Sequence, residues 1–238
     1  MTLVADLAPT PGAPLDLEGG PLREWLAARY SMPGDGWLRL NLVTGLGGQI
    51  TGPSGTSEDL TGGIDRTLMG VIRRTGDAVL VGAGSARVER YTLPAHAVLA
   101  VATLSGRLAD DDLPAPVGER RALVLCPAEA AARLETDLGT RAQVVAVPDA
   151  VRQHAGLLVE ALAEAGLTRI VCEGGGGLAT ALLADGAVDE FDQTIAPVAL
   201  SPGAPLLTGQ LAPVAATLDG LLRDGTDRLY ARWRFHRR

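Results

Sequence analysis

The sequence predicts an α/β fold: a mixed, mostly parallel sheet with helices on both faces and an antiparallel hairpin at the C-terminal end. Three observations carry that expectation. Near-continuous apolar runs recur at 78–84, 97–103, 121–126, 143–148 and 169–172. Strands that are apolar on both sides belong to parallel sheets buried between helical layers. Helically spaced segments at 127–139 and 150–166 separate the last three runs, the strand–helix alternation of a parallel sheet. Near the C-terminus, two strand-like stretches flank Asp224-Gly225, a dipeptide that suits the tight turn of a hairpin.

In chain order, residues 1–19 are rich in Pro and Gly and read as a partly extended lead-in. They carry neither the basic start nor the long apolar core of a secretory signal. Leu22, Trp25, Leu26 and Tyr30 give 20–31 helical spacing, and 36–43 alternates Leu38, Leu40 and Leu42 with a mixed face of Trp37, Arg39, Asn41 and Val43. A glycine-rich stretch follows at 44–63; an irregular segment of that length inside a domain usually serves function. Ile64, Leu68 and Ile72 predict a helix over 61–75, a further strand is expected at 187–200, and the terminal hairpin is expected to supply edge strands. No Pro/Ser-rich linker interrupts 36–238, so 20–238 reads as one domain.

Composition narrows the function. A hydrophobic fraction of 47% is ample for a core, but aromatics are only 3%, so aliphatic side chains must build it. The net charge of -7 argues against nucleic-acid binding, which depends on a basic face. The basic run at 232–238 reads as a solvated chain end. Cys126 and Cys172 each end an apolar run, as buried small residues do, and this usage fits a reducing cytoplasm. His96, His154 and His236 lack metal-ligand spacing, and no apolar stretch approaches a membrane span.

Two places join a strand to a helix through glycines: Gly82-Ala83-Gly84-Ser85 and Gly174 to Gly177. Free N–H groups and a helix dipole meet at such junctions and attract anions, diphosphates above all. Gly174, Gly176 and Ala179 also fit a GxGxxA pattern, which alone is weak, and a tight turn explains it equally well. Glu173 would repel a phosphate, so its expected role is to accept hydrogen bonds from the glycine N–H groups.

The ordered motifs "NLVTGLGGQI", "DLTGGIDRTLMGVIRRTGDAVLVGAGSARVERY", "RIVCEGGGGLATALLADGAVDEF" and "TIAPVAL" resemble the riboflavin-biosynthesis reductases from about 37 to about 208. That family is the C-terminal domain of the bifunctional pyrimidine deaminase/reductase, with a dihydrofolate-reductase-like fold. The resemblance implies NADPH, a homodimer, and hydride transfer to a ribosylamino-pyrimidine phosphate. By the same resemblance, Gly82, Ala83 and Gly84 line the nicotinamide side, and Glu173, Gly174, Gly175, Gly176, Gly177 and Leu178 form the diphosphate loop. Thr103, Ser105 and Arg107 stand where the family binds the adenosine ribose and its extra phosphate. Asn41, Thr61, Asp65 and Arg66 bound the substrate, although Asp65 and Arg66 fit equally as first-turn helix residues paired on the surface. Related dihydrofolate reductases carry a cis peptide between paired glycines, so one is expected among Gly174 to Gly177.

The chain departs from the family pattern after its first long strand. Gly45 and Gly47 occupy the positions of a serine and an aspartate that face the reacting end of the substrate. The nearest carboxylates available as replacements are Glu58 and Asp59. This leaves three readings open: an NADPH-dependent reductase of the family reaction or a related substrate, a dihydrofolate-reductase-like activity or reduction of a different small carbonyl or imine on the same scaffold, and a non-catalytic NADPH-binding dimer.

Overall fold

The computed structural model describes residues 2–236. Its strands are β1 (Thr2–Ala8), β2 (Leu15–Leu17), β3 (Trp37–Thr44), β4 (Ala78–Gly82), β5 (Val98–Ala102), β6 (Ala122–Pro127), β7 (Ala142–Val147), β8 (Arg169–Gly174), β9 (Glu190–Ile195), β10 (Ala216–Asp224) and β11 (Leu229–Phe235). The helices are α1 (Gly19–Arg29), α2 (Asp65–Arg73), α3 (Ala83–Glu89), α4 (Ala128–Leu138), α5 (Gly156–Glu164) and α6 (Gly176–Ala184). One sheet takes all the strands in the order β2-β1-β10-β11-β9-β3-β8-β4-β5-β6-β7. Pairing is parallel from β9 to β7 and antiparallel from β2 to β9. The expected mixed, mostly parallel architecture is the observed one.

The apolar runs are continuous because both sheet faces are covered. Leu80 on β4 and Leu125 on β6 join Leu158 and Leu162 of α5 and Leu182 of α6 in one cluster. Their neighbours Val79, Val81 and Val124 point the other way, to Ala86 of α3 and Leu134 of α4. Leu26 of α1 and Leu68 and Ile72 of α2 cover Val171 and Tyr230 in a third cluster. Burying each such leucine contributes roughly 1.5–3 kcal/mol, so the aliphatic residues suffice with few aromatics. Both cysteines are buried thiols, and burial pushes Cys172 up to about 12.

Three expectations change. The lead-in is not separate from the sheet: β1 pairs with β10 and β2 with β1, and Val4 lies in the third cluster. The terminal hairpin is interior, not at an edge, because β1 covers β10 and β11 lies on β9. The basic tail is not simply solvated. Arg232 and Arg234 turn to carboxylates, with Arg232 Nε 3.2 Å from Glu190 Oε1 and Arg234 Nη2 2.9 Å from Asp219 Oδ2. Arg237 and Arg238 lie outside the described residues. On β3 the polar side of the alternation is also buried. Arg39 is fully enclosed, 3.0 Å from both Glu190 Oε1 and Asp192 Oδ2. Burial lifts the Asp192 carboxyl well above its ordinary range. Burial also works upward on Glu190, but Arg39, the hydrogen bond with Asp192 and Arg232 together outweigh it and hold that carboxyl low.

Candidate functional site

Parallel strands end together, so the loops after β3, β4 and β8 meet at one edge, the usual place for a ligand in an open α/β sheet. A cavity of about 490 Å³ opens there. Asn41 of β3 lines it, together with Asp65, Arg66 and Arg73 of α2 and with Gly84, Gly175 and Gly176 of the two glycine junctions. All four expected substrate residues, Asn41, Thr61, Asp65 and Arg66, are therefore in one lining.

The hairpin tip sets where α2 starts. The helix has no side-chain cap of its own, yet the Ile64 N–H donates to Asp224 Oδ2 at 3.1 Å, and the Tyr230 hydroxyl donates to the same oxygen at 2.6 Å. The helix thus begins at Asp65 and not at Thr61 as the periodicity implied. Thr194 of β9 donates to Asp65 Oδ1 at 2.6 Å. Burial raises the Asp65 carboxyl, against the opposing pull of Thr194, Arg228 and Arg66. Arg66 pairs with Glu58 on the surface, the alternative its position left open. Glu58 lines the cavity, whereas Asp59 is taken by the Ser54 N–H at 2.7 Å.

Glu173 has a different role from the one expected. Arg73 grips it with two bonds, Nε to Oε1 at 2.6 Å and Nη2 to Oε2 at 2.7 Å. The carboxylate therefore arrives at the cavity already neutralised. Tyr91 lies beside the pair, its ring centroid 5.8 Å from the Arg73 guanidinium carbon. Burial pushes the Tyr91 phenol well up. No sequence spacing links Arg73 to Glu173, and the lining residues Glu89, Arg90 and Thr92 likewise escaped the sequence reading.

The glycine run turns the chain from β8 into α6 with φ of 145° at Gly174 and 85° at Gly175, values open to glycine. Among the described residues the cis peptides are Ala8-Pro9 and Ser201-Pro202. The peptides among Gly174 to Gly177 are trans, which corrects the expectation; positive φ makes the turn instead. At Gly176 a Cβ would stand 2.5 Å from Pro205 O, so the 205–206 backbone requires the missing side chain. The first turn of α6 has no side-chain cap, and Gly175 and Gly176 reach the cavity.

Of the other expected cofactor residues, Gly84 reaches the lining, while Gly82, Ala83, Gly174, Gly177 and Leu178 lie outside it. So do Thr103, Ser105 and Arg107, two strands from β8 on the same sheet edge. There Thr103 Oγ1 donates to Arg107 O at 3.0 Å and the Arg107 N–H to Ser105 Oγ at 3.3 Å, a self-contained turn. Among the described residues no group of three His, Cys, Asp or Glu side chains is placed to hold a metal ion. No helix among them is long and apolar enough to cross a membrane.

A profile of the RibD C-terminal domain family matches residues 36–230, from the start of β3 into β11. The chain belongs to the RibD C-terminal domain family. Solved structures repeat the fold at low identity. A pyrimidine reductase-like protein from Corynebacterium diphtheriae matches with a TM-score of 0.72 at 22% identity, covering 85% of this chain and 92% of the other. A deaminase/5-amino-6-(5-phosphoribosylamino)uracil reductase from Thermotoga maritima gives 0.68 at 17%, covering 85% of this chain but 57% of that one. The riboflavin biosynthesis reductase of Saccharomyces cerevisiae gives 0.63 at 16%, covering 90% and 97%. No curated protein sequence matches significantly.

In this RibD-family chain the two glycines after β3 have identifiable neighbours. A Cβ on Gly47 would lie 2.6 Å from Gln49 Nε2, and one on Gly45 would lie 3.0 Å from Val198 O and 3.6 Å from Gln49 Oε1. The Gln49 amide thus takes the space beside both positions.

Proposed function

We propose that this protein uses NADPH to reduce a ribosylamino-pyrimidine phosphate, the reaction of riboflavin biosynthesis. One observation carries the reading: Asn41, Thr61, Asp65 and Arg66 share a cavity with Gly84, Gly175 and Gly176. The uncapped first turn of α6 suits a diphosphate, because its N–H groups lack intrahelical partners. The ion pair removes the repulsion expected from Glu173. NADPH when bound supplies the hydride, and the protein supplies placement and charge.

In this reading Gly174 to Gly177 and Leu178 hold the diphosphate, Gly82, Ala83 and Gly84 flank the nicotinamide, and Thr103, Ser105 and Arg107 take the adenosine ribose and its phosphate. The substrate lies on Asn41 and the start of α2. The protein works as a homodimer in the cytoplasm, which sedimentation of the purified protein and cell fractionation test. Loss of NADPH absorbance with the ribosylamino-pyrimidine phosphate is the expected outcome. NADPH binding without turnover on this substrate would overturn the substrate, and no binding would overturn the enzyme.

The second reading is reduction of another small carbonyl or imine compound. The glycines at 45 and 47 favour it, since the positions that carry a serine and an aspartate in the family pattern offer no carboxylate here. Turnover of uncharged carbonyl or imine compounds in place of the ribosylamino-pyrimidine phosphate would favour this reading.

A further inference from the structure

Three guanidiniums line the cavity: Arg66, Arg73 and Arg90. Arg66 is paired with Glu58, and Arg73 with Glu173. Arg90 has no such carboxylate partner among the described residues. The adjacent Glu89 is committed elsewhere, its Oε1 accepting the Ser57 N–H at 2.8 Å. Arg90 also closes α3 in the left-handed region, with φ 49° and ψ 61°. An arginine there carries a backbone cost that glycine would avoid. The site therefore keeps a strained residue whose side chain has no structural bond to explain it, at the rim of the cavity.

We propose that Arg90 recognises the anionic group of the substrate, a phosphate monoester, in the part of the cavity lined by Arg90, Tyr91 and Thr92. A guanidinium is a fixed fork of donors that matches phosphate oxygens. Arg90 is the cation in this lining still available for that fork. The proposal rests on the cavity being the substrate site, and it adds the residue that distinguishes a phosphorylated sugar from a neutral one.

The test compares ribose 5-phosphate with ribose by calorimetric titration of the wild-type protein, Arg90→Gly and Arg90→Lys. Wild type is expected to prefer the phosphate by about tenfold or more, the scale of one charge-assisted contact. Arg90→Gly should lose that preference and Arg90→Lys keep part of it. Because glycine suits the left-handed backbone, Arg90→Gly should melt no lower than wild type, so lost binding is not lost folding. NADPH titration separates the two phosphate sources and should be unchanged in Arg90→Gly. An unchanged ribose 5-phosphate preference in Arg90→Gly, or weakened NADPH binding in its place, overturns the assignment, as does a wild type that does not distinguish the sugars. Failure of wild type to bind NADPH counts against the reductase reading alone, since the sugar comparison needs no nucleotide.

Discussion

The chain has two glycine clusters at the same end of the sheet, 174–177 after β8 and 45–48 after β3, and they need glycine for different reasons. In the first, Gly174 and Gly175 have backbones that other residues rarely adopt, and the Pro205 carbonyl closes the space at Gly176. In the second, Gly48 alone needs a positive φ, at 79°. The nearest atoms at Gly47 belong to the flexible Gln49 side chain. Backbone cannot yield, whereas a side chain can rotate. The first cluster is a rigid feature of the fold that reaches the cavity at Gly175 and Gly176, and the second, outside that lining, meets backbone only at Gly45, 3.0 Å from Val198 O.

The largest expected effect falls on the residue that leads into the rigid cluster. Glu173→Ala leaves the Arg73 guanidinium without its bidentate partner, and breaking a mostly buried pair costs about 3 kcal/mol. Urea unfolding measures it; a cost near zero would mean that the pair does not brace the glycine wall. Gly176→Ala comes next. Its methyl group meets backbone, so overpacking should cost about 2 kcal/mol in thermal unfolding. A neutral result would show that the 205–206 segment yields, erasing the contrast.

Asp65, on α2 beside the cavity, sharpens the comparison through pH. Its folded carboxyl is raised by burial, against about 3.9 in an unfolded chain. A raised group contributes its stability below the unfolded value and loses it as pH rises through the folded value. Asp65→Asn should therefore be more stable than wild type at neutral pH, with the gap closing on acidification. A gap that widens toward acid would contradict the burial argument. The smallest effect belongs to the tolerant cluster. Gly47→Asp, where Gln49 can swing aside, should change stability by no more than about 0.5 kcal/mol in urea unfolding; a loss comparable with Gly176→Ala would make the two clusters alike.

The same division explains what the sequence disclosed. The strands of the parallel half were legible because burial on both faces leaves an unbroken apolar run, as at Val79, Leu80 and Val81. β1 and β2 were not, because they lie beside prolines and glycines, and β1 takes its pairing from a hairpin more than 200 residues away while β2 pairs with β1. The start of α2 was placed too early because its cap, Asp224, belongs to that hairpin and not to the local sequence. The ordered motifs singled out the glycine wall and four residues that share the cavity lining, Asn41, Thr61, Asp65 and Arg66. The Arg73–Glu173 pair joins residues 100 positions apart, and neither end carries a local signal. The basic residues 232 and 234 looked like solvated charge for the same reason: their counterions are on other segments of the sheet.

A crystal structure with NADPH bound would decide whether the 174–177 wall is the diphosphate site. The expected electron density has the diphosphate against the N–H groups at the start of α6, the nicotinamide beside Gly82 to Gly84, and open cavity between it and Asn41 and Asp65. A nucleotide bound away from the 174–177 wall, or none at saturating NADPH, would contradict it.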